Sequence, residues 1–266
     1  MNTNEFLGFA KLTAAYAGDK ILMKNYGKMQ ELEWTAKQHF RTEVDTQSNE
    51  YILKRIKETF PEHNIYSEED DDVNNDSEYD WLIDPLDGTI PYRQGITDHF
   101  SVCIALAKNK KPIMGVTYAP KRGELYYAQE GKGAFCQTFN DNKKITVSLE
   151  DNINHTLMGL DGGKETKDFK RADITKYIDK VYSPNGITCF LASGCASVPL
   201  ALTAAGKLHA YMALSLEPWD MAAGTIITRE AGAKVTNIKG KEWDITDPSI
   251  LAANPVLHEK LLEIFK

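Results

Sequence analysis

The chain has 266 residues, a formal charge of −7, 42% hydrophobic residues and 26% charged residues, which is typical of a globular protein with one large or two modest domains. The negative charge argues against nucleic acid as a partner, and no apolar run approaches the roughly 20 residues that cross a membrane. The four cysteines have no metal-type spacing and the N-terminus lacks a signal-peptide pattern, so we expect a cytoplasmic protein with free thiols.

Two helices and a loop are predicted in the first part of the chain. Apolar residues recur at helical spacing over residues 5–26 and again over 47–60, where Pro61 ends the pattern. Residues 71–79 are polar and are predicted to form an exposed loop.

Short strands follow this loop. Residues 81–83 form an apolar run that predicts a strand ending at Asp84. Turn-forming residues separate the next apolar runs, which predicts an antiparallel meander. The strands of the meander are expected at 100–106, 113–118 and 124–128.

A polar break at residues 140–144 predicts a boundary between two halves. Residues 1–140 would bind metal and phosphate, and residues 141–266 would complete the metal site and the substrate pocket. The second half is expected to begin irregularly near Asp161. Its later elements are predicted as helices at 195–205 and 220–231 and strands at 208–214 and 233–237. The fold class is therefore α/β (α+β), with sheets and helices in alternating layers.

The most informative motif runs from Asp84 to Thr89 and places two carboxylates three residues apart. Pro85 turns the chain, so that Asp87 is expected to point back toward the same spot as Asp84. Gly88 allows close approach of a ligand, and the N–H groups that follow can bind an anion. An ordinary Asp-Pro turn is the structural alternative.

Two further acidic motifs lie far from the first in the chain. Glu68 and Glu69 follow a short apolar run, although an acidic run by itself is typical of a solvated surface. Asp220 begins a helix-forming stretch, and capping that helix is the structural alternative to binding a metal. We expect Glu68, Asp84, Asp87 and Asp220 to converge on one cation site.

The chemistry of these motifs favours a hard cation. They contain no histidine or cysteine, so every ligand would be an oxygen. Oxygen ligands favour Mg²⁺, with Mn²⁺ as a substitute, over Zn²⁺. Clustered carboxylates repel one another and need positive charge.

On these motifs the chain resembles the inositol monophosphatase family, a group of Mg²⁺-dependent phosphatases that are often sensitive to lithium. The resemblance implies a layered α-β-α-β-α fold, a homodimer and possible inhibition by Li⁺. The matching segments are residues 67–69, 81–89 and 217–224, with weaker matches at 42–45 and 204–208.

The resemblance also implies the roles of individual residues. A first ion would be held by Glu68, Asp84 and the Leu86 carbonyl, and a second by Asp84, Asp87 and Asp220. A third, looser ion would bind near Glu68.

The phosphate and the attacking water would lie beside these ions. The resemblance implies that the phosphate sits at Asp87 and the N–H groups of Gly88 and Thr89. Glu68 and the Thr89 hydroxyl, oriented by Asp45, would hold the water. Lys37 would belong to the same outer network.

Three departures from the family pattern put inositol specificity in question. Pro91-Tyr92 replaces the common Asn-Phe pair, and Ser67 replaces a glycine. The family often has an acid that contacts substrate hydroxyls where this chain has Ala213.

Hydrolysis of a small phosphorylated polyol or sugar is therefore the leading prediction. A 3′(2′),5′-bisphosphate nucleotide, fructose 1,6-bisphosphate, histidinol phosphate and NADP remain alternative substrates. A non-enzymatic binding protein on the same fold and a Mg²⁺-dependent nuclease are the alternatives from other classes. Candidate substrate contacts are Asn185, Ser193, Cys195 and Glu217.

Overall fold

The regular elements are taken from a computed structural model, which describes residues 3–28, 31–36, 39–163, 165, 169–170 and 173–266. In these residues the helices are α1 (Thr3–Tyr16), α2 (Met23–Asn25), α3 (Glu43–Thr59), α4 (Thr89–Gln94), α5 (Asp173–Val181), α6 (Ser197–Ala204), α7 (Pro218–Glu230) and α8 (Pro255–Phe265). A π-helical segment, Ala17–Leu22, joins α1 to α2, and a short 3₁₀ turn covers Ile153–His155.

The strands fall into three sheets. They are β1 (Glu33–Ala36), β2 (His39–Arg41), β3 (Asn64–Ser67), β4 (Tyr79–Asp87), β5 (Ser101–Lys108), β6 (Lys111–Ala119), β7 (Glu124–Gln129), β8 (Gly133–Gln137), β9 (Asn142–Ile145), β10 (Leu157–Gly162), β11 (Cys189–Leu191), β12 (Ala210–Leu214), β13 (Lys234–Thr236) and β14 (Ser249–Ala253). Strands β1 and β2 form a hairpin, β3 to β9 form a seven-stranded sheet in chain order, and the third sheet has the order β11-β10-β12-β14-β13.

The seven-stranded sheet is mostly the antiparallel meander that the turn residues predict. Strand β3 pairs with β4 in parallel, and each later strand pairs antiparallel with the one before it. In the five-stranded sheet, β10 lies parallel to both β11 and β12, while β14 runs antiparallel to β12 and β13.

Apolar clusters on the two faces of each sheet define five layers. Helices α1 and α3 cover one face of the seven-stranded sheet through residues such as Phe6 and Ile52. Helices α6 and α7 fill the space between the two sheets, where Ala222 packs among residues of both. Helices α5 and α8 cover the outer face of the five-stranded sheet. The predicted α-β-α-β-α layering is therefore confirmed.

Several predicted elements differ from the observed ones at their ends. The second helix begins at Glu43, four residues early, because Thr42 and Asp45 form a reciprocal capping box at its start. Strand β4 continues past Asp84 to Asp87. Residues near Asp161 lie in a regular strand, because β10 pairs with a neighbour on each side.

The predicted boundary at residues 140 and 141 falls in the turn between β8 and β9. Strand β9 pairs with β8 and completes the seven-stranded sheet. The division into residues 1–140 and 141–266 stays a prediction.

In the part of the chain that the structure describes, no helix has the length and apolar character needed to cross a membrane. The four cysteines all lie within that part and are free thiols.

Helix α7 packs so closely on β6 at Gly115 that no side chain fits between them. A Cβ added at Gly115 would lie 2.7 Å from the backbone of Ala223 and 2.7 Å from Ile226. Because α7 also carries Asp220, this contact fixes the distance between that carboxylate and the seven-stranded sheet.

We therefore expect Gly115→Ala to lower the free energy of unfolding by about 1–3 kcal/mol through overpacking. Gly8→Ala is the matched control, because Gly8 is exposed in α1 and an added Cβ there meets nothing within 4 Å. The control should be neutral or stabilising by up to about 1 kcal/mol. Equal unfolding free energies for the two variants in urea titrations would contradict the close contact.

Candidate active site

Strand β4 brings Asp84 and Asp87 to one side of the seven-stranded sheet. Alternate residues of a strand point to opposite faces, so residues three apart would normally diverge. Here the register with β5 shifts between Asp84, which pairs with Cys103, and Asp87, which pairs with Ser101. Pro85, which has no N–H to donate, lies in this bulge. The extra residue turns both carboxylates toward the same cavity.

Glu68 reaches the same place from the neighbouring strand. Ser67 ends β3 beside Ile83 of β4, and the Glu68 N–H donates to the Ile83 carbonyl at 3.2 Å. The parallel pairing therefore places Glu68 next to Asp84.

Asp220 approaches from the other sheet. Ser215 follows β12 with φ of +61°, a sparsely populated conformation for a residue with a side chain. Pro218 starts α7, and Asp220 forms a capping box in which its Oδ2 accepts from the Glu217 N–H at 2.9 Å. A helix cap was the structural alternative for Asp220; in the structure Glu217 holds the cap position and Asp220 is its reciprocal partner.

Three of the four carboxylates that were predicted to converge, Glu68, Asp84 and Asp220, come close together. Each offers a carboxylate oxygen, and these oxygens all lie within 4.8 Å of one another. Asp84 is buried at 1% exposure. Burial first, and then the charges of Glu68, Asp87 and Asp220, raise the pKa of Asp84 well above its usual value. A cation bound by these oxygens would offset the repulsion from the neighbouring carboxylates and lower this pKa.

Asp87 borders the cavity but lies outside this group of three carboxylates. Its Oδ2 accepts from the Ser197 N–H at 2.7 Å, from the Ser197 hydroxyl and from the Cys195 thiol at 3.1 Å. Its Oδ1 accepts from the Ala196 N–H at 3.3 Å. Oδ1 thus has one donor where Oδ2 has three, so Oδ1 is the oxygen of Asp87 with more capacity left to bind a cation.

Asp45 and Thr89 form the contact that the resemblance implies. The Thr89 Oγ1 lies 2.9 Å from the Asp45 Oδ1 and 3.1 Å from the Leu86 carbonyl. The Thr42 N–H and hydroxyl donate to the other oxygen of Asp45. A hydroxyl has one hydrogen, so donation to Asp45 leaves the Leu86 carbonyl available for a cation.

Gly88 is required by both conformation and space. Its φ is +85°, and a Cβ would lie 2.6 Å from the His99 carbonyl oxygen and 3.1 Å from the Cys195 Cβ. The space that a side chain would need at this position is therefore filled by the protein itself, and the close approach of a ligand to Gly88 stays a prediction.

These residues surround one cavity of about 590 Å³. Its lining includes Glu68, Asp84, Asp87, Thr89 and Asp220, and it also includes Leu86 and Gly88. Of the candidate substrate contacts, Ser193, Cys195 and Glu217 line the cavity, whereas Asn185 is exposed in the segment after α5 and is not part of the lining. Lys37 lies outside the described residues.

Asp161 is a lining residue that the sequence did not single out. Its Oδ1 accepts from the N–H groups of Ser193 at 3.1 Å and Gly194 at 3.0 Å, where Gly194 has φ of +68°. Its Oδ2 is buried without a hydrogen bond that meets normal geometry. Asp161 also lies directly beside Ala213 in the β10–β12 register. The only sequence feature that could have pointed to Asp161 is the Gly-Gly pair that follows it.

Comparisons with known proteins cover the whole length of the chain. A family model described as the inositol monophosphatase family matches residues 3–266. The fructose-1,6-bisphosphatase/inositol-1-monophosphatase of Aquifex aeolicus is 33% identical over 271 residues, which cover 100% of this chain and 97% of that protein. The Nus factor SuhB of Vibrio cholerae is 33% identical over 254 residues, which cover 94% of this chain and 91% of that protein.

Solved structures match the fold as well. The inositol monophosphatase from Anabaena aligns with a TM-score of 0.82 at 32% identity, over 99% of this chain and 96% of that chain. The similarity in structure therefore extends over nearly the whole chain and all five layers.

The pKa of Asp161 provides a test of the cavity's electrostatics. Burial, as the largest cause, raises this pKa to about 6 from 3.8. Between these two pH values the folded state holds a proton that the unfolded chain has lost. Rising pH should therefore lower the free energy of unfolding by up to about 1.4 kcal/mol per pH unit over this window.

Asp161→Asn keeps an acceptor for the two N–H groups and removes the titration. In EDTA, its stability relative to the unsubstituted protein should grow by about 2–3 kcal/mol between pH 4 and pH 7. Chemical denaturation at several pH values measures this difference. A difference that stays constant with pH would show that Asp161 titrates normally.

Proposed function

This chain belongs to the inositol monophosphatase family and is a phosphoric monoester hydrolase, and we propose that it uses Mg²⁺ to hydrolyse a small phosphate monoester. The observation that carries the proposal is the convergence of Glu68, Asp84 and Asp220 within 4.8 Å, beside the contact between Thr89 and Asp45. Residues from three separate segments meet there, which an ordinary solvated acidic surface does not require.

The donor set fits Mg²⁺. All the converging side chains offer oxygen, and burial, followed by the charges of the neighbouring carboxylates, raises the pKa of Asp84, which a bound cation would oppose. We infer that Glu68 and Asp84, with the Leu86 carbonyl, hold one ion, and that Asp84, Asp87 and Asp220 hold a second. Mg²⁺ bound there would supply positive charge for the phosphate and lower the pKa of a bound water.

The phosphate would occupy the start of α4. Gly88 and Thr89 line the cavity where α4 begins, and their N–H groups are the proposed donors to the phosphate oxygens. Asp87 borders the same position and is already oriented by donors at the start of α6.

The water that attacks phosphorus would be held by Glu68 and Thr89. In this role the Thr89 hydroxyl donates to Asp45, and its oxygen accepts from the water. Asp45 is 1% exposed, and burial raises its pKa while its hydrogen bonds oppose that rise. This arrangement would place a proton acceptor and an orienting hydroxyl on one side of the phosphate.

The substrate is proposed within a narrow chemical range. A phosphorylated polyol or sugar is the leading proposal, and fructose 1,6-bisphosphate gains support from the name of the Aquifex aeolicus relative. A nucleotide bisphosphate, histidinol phosphate and NADP are the alternative substrates. Ala213 lacks the acid found in many family members, while Asp161 offers a carboxylate on the neighbouring strand.

A non-enzymatic binding role is the second candidate, because one relative is named a Nus factor. The complete set of converging carboxylates favours catalysis, since a docking function does not need them. A homodimer and inhibition by Li⁺ are further proposals that rest on the family.

Asp84→Asn tests the cation site directly. The unsubstituted protein should gain several degrees in Tm from millimolar Mg²⁺, and its Mg²⁺ affinity should weaken as the pH falls, because a proton on Asp84 competes with the ion and the pKa of Asp84 is raised. The variant should lose both responses and release no phosphate. In EDTA it should be at least as stable, because one source of repulsion is gone.

Asp70→Asn is the matched control, since Asp70 is exposed in the same acidic run as Glu68. It should keep the Mg²⁺-induced rise in Tm. A normal Mg²⁺ response in Asp84→Asn, measured by scanning calorimetry, would refute the assignment.

Thr89→Val tests the water-positioning role. It should lower kcat by about 10²–10³-fold with little change in Mg²⁺ affinity, because the hydroxyl is lost while the ligands remain. Thr89→Ser should restore much of the rate, and Thr59→Val, at an exposed threonine near the end of α3, should change nothing. Phosphate release over a panel of inositol, sugar and nucleotide phosphates provides the measurement. Equal rates for Thr89→Val and Thr59→Val would exclude the role.

A further inference from the structure

The cavity has two chemically different parts. Its lining combines the acidic cluster, which we call the acidic floor, with four large apolar side chains, Trp34, Phe40, Ile90 and Ile96, which we call the apolar rim. Three of these side chains are exposed: Ile96 at 77%, Trp34 at 64% and Ile90 at 38%. Exposed apolar side chains on the lining of a cavity are typical of a ligand site.

The aromatic half of the apolar rim lies on one face of the β1–β2 hairpin. Trp34 and Phe40 are directly opposite each other in its register, and their ring centroids are 5.5 Å apart at an interplanar angle of 71°. The neighbouring cross-strand pair, Glu33 and Arg41, is an ion pair at 2.8 Å. The hairpin thus separates a charged pair from an aromatic pair, and the aromatic pair lines the cavity.

The rim is attached to the proposed catalytic residues at both ends. The hairpin runs directly into Thr42, which caps α3 and donates to Asp45, the partner of Thr89. Ile90 follows Thr89 in α4. A group that contacts the rim is therefore held at a fixed place relative to the site proposed for phosphate.

The apolar rim can bind a ligand through nonpolar contacts but not through charge. Among the described residues that line the cavity, no side chain is basic, and the four side chains of the apolar rim are aromatic or aliphatic. An aromatic ring edge or face against Trp34 and Phe40 would bury surface that now faces water. The cavity volume of about 590 Å³ has room for such a ring beside a phosphate.

We propose that the preferred substrate is a phosphate monoester whose alcohol carries an aromatic ring, and that this ring packs on Trp34 and Phe40 while the phosphate lies at the acidic floor. This inference rests on the proposed phosphatase function and narrows its substrate class. Among the esters considered above, polyol and sugar phosphates lead on the family resemblance alone, and the apolar rim moves esters with a flat heteroaromatic ring ahead of them.

The test compares two esters of primary alcohols, 3-phenylpropyl phosphate and glycerol 1-phosphate, so that leaving-group chemistry is matched. The unsubstituted protein should show a kcat/KM at least about tenfold higher for the phenylpropyl ester. Trp34→Ala should lower kcat/KM for that ester about tenfold and change the value for glycerol 1-phosphate less than twofold. Ile96→Ser, on a different segment, should act in the same direction.

Phe139→Ala is the matched control, because Phe139 is fully exposed and lies outside the cavity lining. It should leave both rates unchanged. Equal losses on both esters in Trp34→Ala, no preference for the phenylpropyl ester, or a change of oligomeric state by sedimentation in Trp34→Ala would overturn the proposal. The last result would indicate that a second copy of the chain covers the rim.

A binding measurement separates this inference from the phosphatase proposal. The non-hydrolysable 4-phenylbutylphosphonate, titrated calorimetrically with Mg²⁺ present, should bind about tenfold more weakly to Trp34→Ala than to the unsubstituted protein. If no ester releases phosphate yet this difference appears, the catalytic proposal fails and the ring site stands. If phosphate is released but the affinities are equal, the ring site fails alone.

Discussion

Repulsion among carboxylates held close together is the constraint around which the candidate site is organised. Glu68, Asp84 and Asp220 are brought within 4.8 Å by backbone pairing and a capping box, and Asp84 has almost no contact with water. Burial first, and then the neighbouring carboxylates, raise the pKa of Asp84 and favour its protonation when no positive charge is near. A divalent cation bound by these oxygens would offset the repulsion between them, and folding and metal affinity would then be linked.

The layers of the fold serve to hold these acids in place. Glu68 and Asp84 belong to the seven-stranded sheet, whereas Asp220 lies on α7, which packs on β6 without room for a side chain at Gly115. The five-stranded sheet adds Asp161, whose carboxylate holds the loop before α6. The donors at the start of α6 in turn orient Asp87. The site is thus assembled from contacts between layers rather than within one loop.

The sequence predicted those features that depend on local spacing. The motif around Asp84, the helix that begins near Asp220 and the meander were all recognisable from neighbouring residues. The continuation of β4 through Pro85 was not, because a proline usually ends a strand unless a bulge accommodates it. The donors to Asp87 lie up to 110 residues away, and the place of Asp161 depends on which strands neighbour β10. Such long-range pairings leave no local pattern, so single-sequence reasoning could not find them.

The most direct test of the central claim is anomalous diffraction from a crystal soaked in Mn²⁺, which replaces Mg²⁺ at oxygen sites and scatters strongly. The account predicts a peak between the carboxylates of Glu68, Asp84 and Asp220, at about 2.0–2.3 Å from their oxygens. A peak elsewhere, or none at a Mn²⁺ concentration that supports phosphate release, would contradict it.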